Sequence, residues 1–196
     1  MRKCGLLLSS TGIVWILVLA CSRSTAPTSV TALTAGGTAA HDHSGEAAHE
    51  EIPQAMLAAV RVATAKYHDI NVALADGYQL GFRGVVTGCV ANPGVGAMGY
   101  HYFNTTKMDD PTINETDPEV LVYHTADDGS LVLGAVEWVV PKSAWDAAGN
   151  TTPPVVFGQS LHILNPVLNW YVEHAWVWTE NPSGIFMDWN PRATCP

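Results

Sequence analysis

The sequence predicts an α+β fold: one N-terminal amphipathic helix packed on a mainly antiparallel sheet or partly closed barrel, with long loops. Three observations carry this. Met56, Val60, Ala63, Tyr67, Ile70 and Leu74 recur at steps of four and three, which is one apolar stripe of a helix. Glu119–His124 and Leu131–Val140 are rich in β-branched and aromatic residues and flank Asp127-Asp-Gly-Ser130, the pattern of a hairpin. Tyr171–Trp178 alternates as a strand with both faces largely apolar, which marks an interior strand.

In chain order, Arg2 and Lys3 precede a short apolar run that ends in Val18-Leu19-Ala20-Cys21. The run is too short to span a bilayer and ends at small residues, so residues 1–20 read as a secretory signal. The ending looks like a bacterial lipobox, with Cys21 the lipidated first residue of the mature chain. The expected location is the cell envelope, lipid-anchored and facing the periplasm or the exterior, with the lipid as the membrane partner. Loss of residues 1–20 leaves seven basic residues (nine less Arg2 and Lys3) against 18 acidic, a net charge of −11. Such a surplus of acid argues against nucleic acid as a partner.

Residues 21–51 read as a flexible tether, poor in large apolar side chains. His41, His43 and His49 stand there among carboxylates, a composition that binds divalent metals weakly or merely stays solvated. A single globular domain is expected over 52–196. Pro53 suits the first turn of the helix, which spans about 53–76 and stops at Asp76-Gly77. Asn92-Pro-Gly94 signals a turn, and Tyr100–Phe103 a short strand. Gly94-Val-Gly96-Ala-Met-Gly99 is no phosphate loop, because no helix pattern follows and Lys-Ser/Thr is absent. Trp145–Pro154 reads as a loop or short helix, and Phe157–His162 leads to the last strand. In an oxidising compartment Cys89 and Cys195 form one disulfide or remain two separate thiols; the disulfide is the expectation.

Four segments place a titratable group on an apolar strand face. His101 shares a face with Phe103, Glu137 with Leu131, Leu133, Ala135 and Val139, and His174 with Val172, Trp176 and Trp178. His124 shares one with Val120 and Val122. A buried carboxylate costs several kcal/mol unless it is paired or bound to metal, on the order of the penalty for any desolvated charge. Neutral imidazoles with one carboxylate form a ligand set for Zn, Cu or Fe. The expected metal site is therefore His101, Glu137, His162 and His174, with His124 a weaker candidate. The competing readings are a buried Glu137–histidine hydrogen-bond pair, with the other histidines satisfied by backbone carbonyls, and scattered, unrelated histidines. Tryptophans at strand spacing are read as core, with an apolar ligand pocket as the alternative. No nucleophile elbow or Ser-His-Asp arrangement is present.

Met98-Gly-Tyr-His-Tyr102, Ala135-Val-Glu-Trp-Val-Val-Pro141 and His174-Ala-Trp-Val-Trp178, running into Asn181-Pro-Ser-Gly184 and Asp188-Trp-Asn-Pro-Arg192, resemble an uncharacterised group of secreted bacterial proteins and lipoproteins. Lys66-Tyr-His-Asp69, Ala73-Leu-Ala-Asp-Gly-Tyr78 and Pro118-Glu-Val-Leu-Val-Tyr123 extend the likeness, which covers about residues 55–195. The resemblance implies no mechanism. Three functions follow from the residues as expectations. The first is an envelope lipoprotein that stores, delivers or senses a transition metal. The second is a metal-dependent hydrolase or oxygenase. The third is an accessory subunit docked on a membrane complex.

Overall fold

The computed structural model describes residues 54–196, which belong to the unit Ala47–Pro196. The expected signal, the Cys21 lipidation site, the tether histidines and Pro53 lie outside the described residues. No described helix is long and apolar enough to cross a membrane.

The expected helix exists in pieces. Helix α1 spans Gln54–Thr64, a 3-10 turn spans Ala65–His68, and α2 spans Ile70–Ala75. Asp69 causes the interruption. Its extended backbone (φ −89°, ψ 107°) and its carboxylate, which accepts from Asn71 N at 2.9 Å, start a new helix rather than continue the old one. The buried stripe shifts accordingly to Leu57, Val60, Thr64, Tyr67 and Ala73, while Leu74 is exposed. Asp76-Gly77 ends the segment as expected, with Gly77 at φ +91°.

The strands are β1 (Tyr78–Leu80), β2 (Cys89–Asn92), β3 (Gly96–Asn104), β4 (Val120–Thr125), β5 (Leu131–Pro141), β6 (Val155–Val156), β7 (Gln159–Ser160), β8 (His162–Ile163) and β9 (Trp170–Ala175). Short helices α3 (Thr105–Met108) and α4 (Lys142–Ala147) follow β3 and β5. A seven-stranded antiparallel sheet runs β1-β3-β4-β5-β9-β8, with β2 also on β3. It stays open, so the α+β class holds and the partly closed barrel does not.

The sheet separates two apolar layers. One face carries Tyr102, Leu121, Tyr123, Val136, Trp138, Val140, Tyr171 and Ala175 and receives the helical segment. Tyr123 OH donates to Tyr67 O at 2.7 Å, and Trp178 Nε1 donates to Thr64 Oγ1 at 3.1 Å, which fixes that docking. The other face carries Phe103, Val120, Val122, Ala135, Val139, Val172 and Trp176. Among the described residues the only helix that reaches it is the four-residue α3, through Met108; the C-terminal segment lies over the rest. Trp176 N donates to Ile185 O, Ala97 and Asn190 exchange backbone bonds, and Thr125 N donates to Thr194 O. Gly96 permits the approach, since a Cβ there would meet Asn190 O at 2.4 Å.

Three expected face assignments change. The β4–β5 register shifts between Val122 and Tyr123, so that Tyr123 pairs with Leu133 and Val122 with Ala135. Gly134 is the extra residue of this bulge, and it turns Leu131 and Leu133 to the helix side, away from Glu137. Strand β9 ends at Ala175, and the tight Val177 N–Ala175 O bond sends Trp178 to the helix side, away from His174.

Cys89 and Cys195 form the expected disulfide, joining β2 to the end of the covering segment with Cα atoms 5.7 Å apart. It spans 106 residues of sequence, so its loss should destabilise the fold by about 2–5 kcal/mol. Chemical denaturation of Cys195→Ser against wild type measures this, and an unchanged midpoint would contradict it.

Burial also leaves two carboxyls under pressure. Desolvation raises Glu119 to about 8, against the lowering hydrogen bond from Val139 N, and desolvation followed by the charge of Asp188 raises Glu173 to about 8. A folded-state value above the unfolded one stabilises fully at pH below the unfolded value and is lost as pH rises through the folded one. Stability contributed by these two groups therefore falls between about pH 4.5 and about pH 8. Glu119→Gln, which keeps an acceptor for Val139 N, should gain about 1–2 kcal/mol at pH 8 and little near pH 4.5. Thermal unfolding across that range checks the sign; a loss at pH 8 would contradict it.

Candidate metal centre

His101, Glu137 and His174 all project from the face of the sheet opposite α1 and α2, one each from β3, β5 and β9. Glu137 and His174 are direct cross-strand partners, so strand pairing alone brings their side chains together. His101 is two strands from Glu137, with β4 between; strands lie about 4.8 Å apart. It reaches across because the β4 residues that stand between them on that face are Val120 and Val122, opposite Glu137 and His101 respectively.

All three are buried, at 4%, 3% and 0% exposure respectively. His101 Nε2 lies 3.2 Å and His174 Nδ1 3.0 Å from the same Glu137 oxygen, Oε1. One potential ligand atom from each residue falls within 4.8 Å of the others. Ligand atoms about 2.1 Å from one ion, at angles between about 90° and about 109°, lie about 3.0–3.4 Å apart. The two measured separations match that spacing.

The hydrogen bonds assign protons in a way that favours a cation. His101 Nδ1 is 3.1 Å from Gly99 O. A carbonyl only accepts, which assigns a proton to Nδ1 and leaves Nε2 of the neutral ring as a lone pair facing a carboxylate oxygen. Two acceptors at 3.2 Å repel unless a second proton or a metal ion sits between them. A metal-binding imidazole with its other nitrogen donating to a backbone carbonyl is the usual arrangement that orients such ligands. Gly99 supports it, with φ +120° and no room for a Cβ, which would lie 2.3 Å from Tyr123 O.

Electrostatics keep Glu137 ionised. Burial pushes its carboxyl upward, but when His101 and then His174 carry a proton toward Oε1 their charge and hydrogen bonds outweigh burial and hold it well below the usual carboxylate range; a bound cation would take the place of those protons. A buried anion ready to bind a cation results.

Two buried polar atoms at the site lack a hydrogen-bond partner: His174 Nε2 and Asp188 Oδ1. Asp188 is pushed above its ordinary value, first by burial and also by Glu137, while His174 and His162 pull it down. It therefore belongs to the same electrostatic cluster. Asp188 was not legible as a member of the cluster, because it lies in a turn-rich stretch with no periodicity to assign it a face.

The other expected ligands lie elsewhere. His162 is exposed on β8, opposite Val172, so the group is three residues rather than four. His124 shares the face but is satisfied locally: Nε2 pairs with Thr179 Oγ1 at 2.9 Å, and its ring packs where a Gly134 Cβ would stand.

A half-open cavity of about 370 Å³ adjoins the cluster. His101 and Glu137 contribute its polar end, and Phe103, Val139, Trp170 and Trp189 are among its apolar walls. Of the six tryptophans beyond the expected signal, Trp170 and Trp189 thus line a pocket. Trp138 and Trp176 are core, as expected.

Comparison with protein-family models, with curated proteins and with solved structures found no match to this chain.

Proposed function

We propose that the domain holds one resident divalent transition-metal ion at His101, Glu137 and His174. The observation that carries this is the convergence of His101 Nε2, presented as a lone pair, and His174 Nδ1 on one oxygen of ionised Glu137. Two imidazoles and one carboxylate serve Zn in hydrolytic sites and Fe(II) in oxygenases. The envelope location, the lipid anchor and membership of the secreted bacterial group remain part of the proposal.

The cavity favours the enzymatic reading, a metal-dependent hydrolase or oxygenase, over storage or delivery. Three protein ligands leave a coordination position open, and His101 and Glu137 face an apolar space large enough for a small molecule. An ion destined for transfer is better served by ligands nearer the surface than three that are at most 4% exposed. Within such a site Glu137 supplies charge, His101 and His174 supply neutral donors, and the bound ion would act as a Lewis acid or activate water. The docking-subunit reading draws no support from tryptophans, since every one among the described residues is buried or half-buried.

Substitution with Co²⁺ tests the open position. The expected result is a visible d–d spectrum that changes when azide is added, as an exogenous ligand enters the coordination sphere. A Co²⁺ spectrum indifferent to azide would mark a closed site and return storage or sensing to first place.

A further inference from the structure

The cavity beside the cluster is built as a ligand site, and its walls define the ligand. We infer that it binds a small apolar molecule, one ring or a short branched chain, that carries a single oxygen donor directed at the ion between His101 and Glu137. This rests on the metal reading for the oxygen contact, and on the cavity alone for the apolar body.

Phe103, Val139, Trp170 and Val172 form the floor and wall from the sheet, and Trp189 from the C-terminal segment roofs it. Leu164 and Leu168, on the loop between β8 and β9, stand at the mouth. That loop bares further apolar surface, with Val167 88% and Leu164 38% exposed. An apolar rim of this kind lets an apolar molecule desolvate as it enters.

The lining holds no Lys or Arg and only one carboxylate, Glu137. A phosphate or other strongly charged body would be desolvated there without a partner. A polar end at His101 and Glu137, one further polar side chain, Asn165, and apolar walls elsewhere make the ordinary design of a small-molecule pocket, in which the few polar groups orient the ligand. With a divalent ion against Glu137, the local charge at that end is positive, which suits a hydroxyl, phenol or carbonyl oxygen as the head group.

The test is calorimetric titration of the whole protein, zinc-loaded and zinc-free, with phenol and toluene. Toluene is the more hydrophobic of the two, so preferential binding of phenol isolates the oxygen contact. The expected result is saturable binding of phenol to the zinc-loaded protein at least tenfold tighter than toluene. Leu168→Trp, on the loop between β8 and β9 and not one of the three ligands, should weaken phenol at least tenfold while leaving zinc binding unchanged. Leu164→Trp at the rim is a second filling variant, to be used if the first fails to fold. No saturable binding of either probe, toluene binding as tightly as phenol, or equal binding by the filled variants would overturn the inference. If zinc itself does not bind, the metal reading fails separately. Toluene titrated into the zinc-free protein then decides the cavity: binding lost on filling supports it, and no binding overturns it.

Discussion

Glu137→Ala should lower the stability of the metal-free protein by about 3–5 kcal/mol, the usual consequence of removing one partner from a buried charged network. Glu137 is 3% exposed, and its Oε1 lies within 3.2 Å of both buried imidazoles. Its removal leaves His101 Nε2 and His174 Nδ1 facing an empty space with no partner, beside His174 Nε2, which already lacks one. The informative comparison is the triple variant His101→Leu, Glu137→Met, His174→Leu. Replacing a whole buried ionic group by apolar side chains of similar volume is commonly neutral or stabilising. The triple variant should therefore unfold within about 1 kcal/mol of wild type or above it, at unchanged denaturant dependence. That outcome would show that the cluster is not kept for stability. A triple variant as damaged as Glu137→Ala would instead make the cluster a structural element of the sheet.

The second large effect is stabilisation by the ion itself. A ligand that binds only the folded state at a free concentration of about 1,000 times its dissociation constant adds about 4.1 kcal/mol. For a domain of this size that corresponds to a rise in Tm of about 10 °C. Thermal unfolding with and without Zn²⁺ should show it in wild type and lose it in His174→Ala. The Cys89–Cys195 disulfide bears on the same quantity, because it fastens the segment carrying Asp188 and Trp189 over the cluster. Reduction should accordingly shrink the zinc-induced shift as well as the stability without zinc.

Local pattern made the sheet legible and the helix partly so. The hairpin of β4 and β5 follows from β-branched runs about a turn-forming tetrapeptide, and Gly129 takes the φ of +82° that the turn requires. The three cluster residues were legible because each is a titratable group on an apolar strand face. Their convergence was not, since it depends on β9 pairing with β5 and on β3 lying one strand beyond. Such pairings join residues far apart in sequence, and no local period encodes them. His162 looked equivalent to the others but lies on a two-residue edge strand, where a side chain meets solvent. The bulge at Gly134 shows the limit of alternation: one extra residue reversed Leu131 and Leu133 while leaving Glu137 in place. Asp69 did the same for the helix, where a capping side chain outweighed the continuing apolar stripe.

The direct test is elemental analysis of the purified protein. It should carry His41→Ala, His43→Ala and His49→Ala, so that the expected tether cannot scavenge metal, and be purified without a histidine tag. The account predicts near-stoichiometric transition metal that disappears when His174→Ala is added. Protein without metal that also fails to take up Zn²⁺, Cu²⁺ or Fe²⁺ would contradict it, leaving His101, Glu137 and His174 as a buried hydrogen-bonded group and the cavity without an ion.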